Sequence, residues 1–349
     1  MKWCRGRILR WFQGGDQPAV EGVEGGLSPH REERMHPMRI FYLTFCVRQN
    51  KIERKRFLLL KEDVPSIRRG IKMEIGYLGP RGTFSQHVAQ EYAKALNASL
   101  KTYENISALI WGVYQKQILQ AVVPIENSIE GSVNVTLDML AWDVKLKIIK
   151  EISAPITHNL LVKNKESHIT HVLSHPQAIA QCRGFLDTHF PNVSIQYTCS
   201  TAEAAQKVMI QQTNPKEQWA AIGAAKAAQE YGLTILRSSI QDHRNNITRF
   251  VVLSKQEMDK KEDAYKTSII FSTENKPGSL YRILQILDLW NINMTRIESR
   301  PAKNQLGKYI FFVDFDGHWQ DADVNDALTM IKRKTSFFHM LGSYNSLVL

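Results

Sequence analysis

The chain has 349 residues, 43% of them hydrophobic, and a formal charge of +11. It is long enough for two or three domains with cores of their own, and with no run of about eighteen apolar residues it holds no helix that could span a membrane. The charge is uneven: residues 1–72 carry 16 Lys and Arg against 8 Asp and Glu, which leaves only +3 for residues 73–349, too balanced for a nucleic-acid surface.

Residues 1–72 come first and fit the rest poorly. Basic residues surround Ile8, Leu9, Trp11 and Phe12 as in a targeting helix, but Asp16, Glu21, Glu24, Glu32 and Glu33 interrupt any transit or signal pattern. Arg68-Arg69-Gly70-Ile71-Lys72 can be encoded by a purine-rich, ribosome-binding-like stretch ahead of an ATG codon. The expectation is that Met73 is the native start and residues 1–72 are an unassigned extension, either disordered or translated upstream sequence. Cys4, Cys46, Cys182 and Cys199 show neither CxxC spacing nor the density of a disulfide scaffold, which suits a reducing cytoplasm.

From Met73 onward strands and helices alternate. A strand over Glu74–Leu78 is followed by a helix capped by Ser85 and running through Ala95, a strand over Leu100–Tyr103, and a helix over Ile106–Tyr114 capped by Asn105. Lys145 to Lys163 reads as an extended crossing segment. A second cycle begins at His171, with helices predicted over about Gln177–Thr188, Thr201–Gln211 and Ala224–Tyr231 and strands over Ile195–Thr198 and Ala220–Ile222. The strand Ile247–Ser254 then returns after that cycle closes, so two lobes joined by two crossovers are expected, the plan of type 2 periplasmic binding proteins. The boundaries follow: a domain over 73–255, with one lobe over about 73–155 plus 245–255 and the other over about 156–244. Residues 256–266 form a charged linker. Residues 267–349 read as βαββαβ, a ferredoxin-like unit ending in a strand over about Ser336–Gly342.

Four polar clusters stand at strand ends: Gly79-Pro80-Arg81-Gly82-Thr83-Phe84-Ser85, Pro124-Ile125-Glu126-Asn127-Ser128-Ile129-Glu130-Gly131-Ser132, Ser174-His175-Pro176-Gln177-Ala178-Ile179-Ala180-Gln181-Cys182, and Gln241 through Phe250. Open α/β sheets bind ligands at such junctions, so all four point to one cleft. Thr248 and Arg249, a hydroxyl beside a guanidinium, suit a small anionic substrate. Gly76, Gly79 and Gly82 are spaced GxxGxxG rather than GxGxxG, against a nucleotide. His168, His171 and His175 lie on a strand and turn where the rings would scatter, against zinc.

On the motifs GYLGPRGTFS, PIENSIEGSV, SHPQAIAQC and NITRF, and IESRP at Ile297 to Pro301, the chain from about Met73 to its C-terminus resembles monofunctional prephenate dehydratases with a C-terminal ACT regulatory domain. The resemblance implies an α/β, two-lobed catalytic domain followed by an ACT domain. It also implies a cofactor-free and metal-free lyase that takes prephenate to phenylpyruvate in phenylalanine biosynthesis. Matched positions carry over Thr248 as the hydroxyl that donates to the leaving oxygen, with Glu126, Asn127, Ser174 and Gln181 around it and Thr83 and Ser85 on the substrate. Glu126 acts either as a general acid or by orienting Asn127 and Arg249. Arg249 pairs either with a substrate carboxylate or with Glu126, and His175 is a base or simply bonds its turn. In the ACT unit, Asn275, Pro277, Gly278, Ser279 and Leu280 with Glu298, Ser299, Arg300 and Pro301 would enclose L-phenylalanine between paired subunits of a homodimer or homotetramer. The family commonly has Gly-Ala-Leu where this chain has Gly278-Ser279-Leu280. An arogenate dehydratase would share nearly every motif, and a non-catalytic anion receptor would share the two-lobed fold.

Overall fold

A computed structural model describes residues 73–166, 168–211, 217–257, 264–303 and 308–349. The expectations for residues 1–72, and for most of the linker, fall outside them. The first lobe opens with β1 (Glu74–Leu78), α1 (Phe84–Leu96), β2 (Ser99–Tyr103), α2 (Ile106–Tyr114), β3 (Gln120–Asn127) and β4 (Gly131–Ser132). Thr83, not Ser85, caps α1, since its hydroxyl accepts the Gln86 N–H; Asn105 caps α2 as expected. Next come α3 (Asn134–Asp138), a π-helical turn (Met139–Asp143) and β5 (Lys147–Pro155).

The second lobe holds β6 (Asn159–Val162), β7 (His168–Ser174), α4 (Pro176–Gln181), α5 (Arg183–His189), β8 (Ser194–Tyr197), α6 (Thr201–Ile210), β9 (Glu217–Gly223), α7 (Ala225–Tyr231) and β10 (Thr234–Arg237). The single helix predicted over Gln177–Thr188 is two helices, because Cys182 at φ −116° leaves helical geometry. The short β10 escaped prediction: its four residues alternate only partly buried and exposed. The chain returns through β11 (Ile247–Ser254), then builds β12 (Lys266–Ser272), α8 (Ser279–Leu289), β13 (Met294–Pro301), β14 (Tyr309–Asp316), α9 (Ala322–Lys334) and β15 (Phe337–Val348).

The second lobe has its own five-stranded sheet in the order β10-β6-β9-β7-β8. The first lobe and the C-terminal unit share one: β13-β14-β12-β15 continues into β5-β11-β3-β1-β2. β15 makes the join. Its first part pairs antiparallel with β12, and Asn345 to Val348 then pair parallel with Lys150 to Ser153 of β5. Gly342, at φ 137°, stands at the crossing, where a Cβ would lie 2.5 Å from the Ile148 carbonyl oxygen. Only glycine allows that approach.

A shared core backs this join. Ile270, Ile310, Phe312 and Tyr344 of the C-terminal unit are buried with Leu137, Leu140, Val144 and Ile148 of the first lobe. Each such side chain contributes roughly 1.5–3 kcal/mol on burial, so the unit is packed against the first lobe rather than tethered to it. Its other face is covered by α8 and α9 over Ile269, Phe271, Val313 and Phe315. β11 runs through the centre of this arrangement. Phe250 and Val252 face the core under α1, while Val251 and Leu253 face the core shared with the C-terminal unit.

Candidate active site

A cleft of about 450 Å³ opens between the lobes, lined by residues that include Ser85, Asn127, Ser132, His158, Gln181, Ser200, Asn246 and Thr248. The N-terminal turns of α1 and α6 both reach it, through Phe84 and Ser85 and through Ser200 and Thr201. First-turn backbone N–H groups lack intrahelical acceptors and sit at the positive end of the helix dipole, so these turns can hold carboxylates. Ser200 caps α6, its hydroxyl accepting the Glu203 N–H at 3.0 Å, and the Glu203 carboxylate reaches back to accept the Cys199 N–H at 2.8 Å. Among the described residues, no Lys or Arg lines the cleft.

At its floor runs a chain of amide, hydroxyl and imidazole hydrogen bonds that ends on the Glu130 carboxylate. Asn127 Oδ1 accepts the backbone N–H groups of Ile129 and Glu130 at 2.9 and 3.1 Å. Its amide nitrogen donates to Thr248 Oγ1 at 2.8 Å and to Asn246 Oδ1 at 2.7 Å. Asn246 Nδ2 donates to Gln181 Oε1 at 2.9 Å, and the imidazole Nε2 of His158 meets that same oxygen at 3.0 Å. Gln181 Nε2 donates to Glu130 at 3.3 Å. Burial holds the His158 imidazole below its ordinary value, against the opposing pull of the Gln181 bond, so the ring is neutral near pH 7.

Four predicted site residues therefore line the cleft: Ser85, Asn127, Gln181 and Thr248. Four do not. Thr83 spends its hydroxyl on the Gln86 N–H and the Leu78 carbonyl. Ser174 is fully buried and donates to the Ile222 carbonyl at 2.7 Å, tying β7 to β9. Arg249 and Glu126 point to the opposite face of the sheet and pair with each other at 2.5 Å. Successive side chains of a strand alternate between faces, so a residue beside Thr248 cannot share its cleft. The same rule marks what the sequence reading missed. Asn246, two residues before Thr248, reaches the cleft side as Phe250 does, and His158 was legible only as a polar break in the apolar run from Lys145 to Lys163. His175 also lines the cleft, and its ring accepts the Gln177 N–H at 3.3 Å, so it bonds its turn.

Behind the strand, Arg249 binds Glu151 and, at 2.9 Å, Asp314 of β14. Burial opposes ionisation of Glu151, but Arg249 and Lys266 outweigh it and hold the carboxyl below its ordinary value. The network continues into β13. Arg296 meets Glu126 at 3.3 Å and pairs with Glu298, while Arg300 meets Asp138 of α3 at 3.0 Å. Ser132, on the cleft wall, donates to Glu298 and accepts from Arg296 at 2.7 Å. Of the predicted effector residues, Glu298 and Arg300 thus turn toward the first lobe, while Ser299 and Pro301 alternate outward and are exposed. Asn275, Pro277 and Gly278 are exposed before α8, with Ser279 buried and Leu280 half-buried.

Known proteins give this geometry a context. The prephenate dehydratase family matches residues 75–258 and the ACT domain family residues 267–329. A prephenate dehydratase of Methanocaldococcus jannaschii is 39% identical over 77% of this chain and 96% of its own. The crystal structure of a prephenate dehydratase from Arthrobacter aurescens in complex with L-Phe is 35% identical, with a TM-score of 0.72 over 78% of this chain and 90% of that one. GqqA, described as a novel type of quorum quenching acylase, has a TM-score of 0.69 at 25% identity over 78% of this chain and 97% of its own. The fold alone therefore does not choose a reaction.

Proposed function

The chain belongs to the prephenate dehydratase family and carries an ACT domain, and from that premise we propose that it converts prephenate to phenylpyruvate under feedback from L-phenylalanine. The observation that carries the reaction is Thr248: its oxygen is occupied by the Asn127 amide, so its own proton is free to point at a ligand in the cleft. The ring carboxylate leaves as CO2, and its bonding electrons enter the ring. The ring C–O bond opposite it breaks, and the hydroxyl departs as water, the one proton it needs coming ultimately from solvent and reaching it along its bond to Thr248. Aromatisation drives the step, so the protein has to orient the dianion, donate to the leaving oxygen and keep water out. Thr248 acts as an oriented donor rather than as a free acid. Ser85 and the N-terminal turns of α1 and α6 receive the carboxylates. The cytoplasm is the compartment this reading supplies, in keeping with Cys182 and Cys199 as free thiols.

Regulation is supported by the contact of Glu298 and Arg296 with Ser132, since the predicted effector motif lies one hydrogen bond behind the cleft wall. L-Phenylalanine held by residues 275–280 and 298–301 of paired subunits would shift β13 and, through Ser132, the cleft. The test is turnover of prephenate and of arogenate by the native chain and by Thr248→Ala, with and without phenylalanine. Prephenate turnover that collapses in the variant and falls with phenylalanine is expected. Preference for arogenate would make the chain an arogenate dehydratase, and binding of prephenate without turnover would make it a receptor.

A further inference from the structure

We propose that His158 is a positioning residue for Gln181: held as the Nε2–H tautomer, it keeps Gln181 Oε1 toward Asn246 and so sets how that amide is presented to the cleft. This rests on the dehydratase reading for its kinetic consequence, but the tautomer follows from geometry alone. The near end is set by backbone. Asn127 Oδ1 faces two N–H groups, which can only donate, so its nitrogen must face Asn246 and Thr248. Asn246 Oδ1 is then the acceptor, and its nitrogen donates to Gln181. The far end agrees. Glu130 accepts from Gln181 Nε2, so Oε1 is the atom that faces both Asn246 and His158. An oxygen that accepts cannot supply a proton, so His158 Nε2 must carry one.

The other ring nitrogen pays for this assignment, because Nδ1 is buried and has no hydrogen-bond partner among the described residues. His158 is only 4% exposed, and Phe84 packs against its ring at 5.7 Å in a T-shaped contact. Its backbone is pinned as well, with its N–H donating to the Gln241 side chain and its carbonyl accepting the Ile240 N–H at 2.9 Å. The ring therefore cannot turn to give Nδ1 a donor without releasing Gln181. Were Gln181 to flip, its nitrogen would face the Asn246 Nδ2 donor and its oxygen the Glu130 carboxylate, so Gln181 would lose its place at the cleft while Asn127, held by two backbone N–H groups, kept its bond to Thr248.

Two measurements test the proposal on the full chain. Long-range proton–nitrogen NMR, with the His158 signal identified by its loss in His158→Gln, is expected to show a protonated Nε2 and a bare Nδ1. A protonated Nδ1 would overturn the assignment whatever the chain catalyses. Steady-state kinetics on prephenate then compare His158→Leu, which removes the donor, with His158→Gln, which places an amide N–H near the Nε2 position. The leucine variant is expected to lose about ten- to a hundredfold in kcat with KM within about twofold, as for a mispositioned catalytic group. The glutamine variant is expected to recover most of that loss, and circular dichroism and melting of both variants report whether the fold is kept. An unchanged kcat in His158→Leu would overturn the proposal, as would a folded glutamine variant no better than leucine. If the native chain leaves prephenate untouched, the dehydratase reading fails instead, and the tautomer still stands or falls by its spectrum.

Discussion

The two faces of β11 solve opposite problems with adjacent residues. On one face Thr248 joins Asn246, Asn127, Gln181 and His158 in a chain whose hydrogen-bond partners are all neutral up to Glu130. On the other face Arg249 is set among Glu126, Glu151 and Asp314, with Arg296 and Lys266 beside them. A cation inside the cleft would stabilise a dianionic ground state as much as the transition state. Amides and helix ends instead give directed donors that need not reorganise as the C–O bond breaks. The charges are kept where their job is cohesion, joining the catalytic strand to the ACT sheet. A buried ion cluster is costly to assemble and costlier to break one-sidedly, which suits an interface that must keep register.

The comparison breaks first if the cleft face is not the chemical one. Thr248→Ala is expected to lose about a thousandfold in kcat with little change in melting, and a loss below tenfold would move the chemistry elsewhere. Arg249→Met is expected to do the reverse. It strips three carboxylates of their shared cation and is expected to cost about 3–5 kcal/mol in denaturant unfolding. Below its melting point, kcat should fall far less than in Thr248→Ala. Equal losses of activity in the two variants would erase the distinction between faces. Asn127→Asp sharpens the cleft side, because it keeps an acceptor for the Ile129 and Glu130 N–H groups while removing the donor to Thr248. A drop of about a hundredfold in kcat is expected.

Smaller effects probe the join. Ser132→Ala is expected to raise the half-inhibitory phenylalanine concentration about fivefold or more while calorimetry finds phenylalanine binding unchanged. Equal weakening of binding and inhibition would place Ser132 outside the coupling. Acid titration of stability separates the faces by pH. The folded value of His158 lies below 6.5 through burial, so its contribution is complete above 6.5 and is lost as pH falls from there through that lowered value. Glu151 is held below 4.5 by Arg249 and Lys266 against burial, so its contribution is lost only on further acidification below 4.5. Removing the first component with His158→Gln and the second with Glu151→Gln, followed by urea melts across pH, checks both signs.

The local elements and the family were legible in the residues alone. Apolar spacing at Ile106, Leu109, Ile110 and Val113 fixed a helix, and polar clusters at four strand ends fixed where a cleft had to open, since both signals depend on residues close in the chain. Period-two alternation even held the clue that Asn246 belongs with Thr248 and Arg249 does not, although adjacency in sequence suggested a pair. Pairings between residues distant in the chain were set by packing. Continuation of β15 past Gly342 onto β5 depends on a partner strand almost two hundred residues away in sequence. The destination of Arg249 depends on Asp314 arriving behind β11, and the service of His158 depends on α4 bringing Gln181 against it within the second lobe. Hydrogen bonds and ion pairs are won by whichever partner the packed chain brings within about 3 Å, and no local pattern of side chains records which that will be.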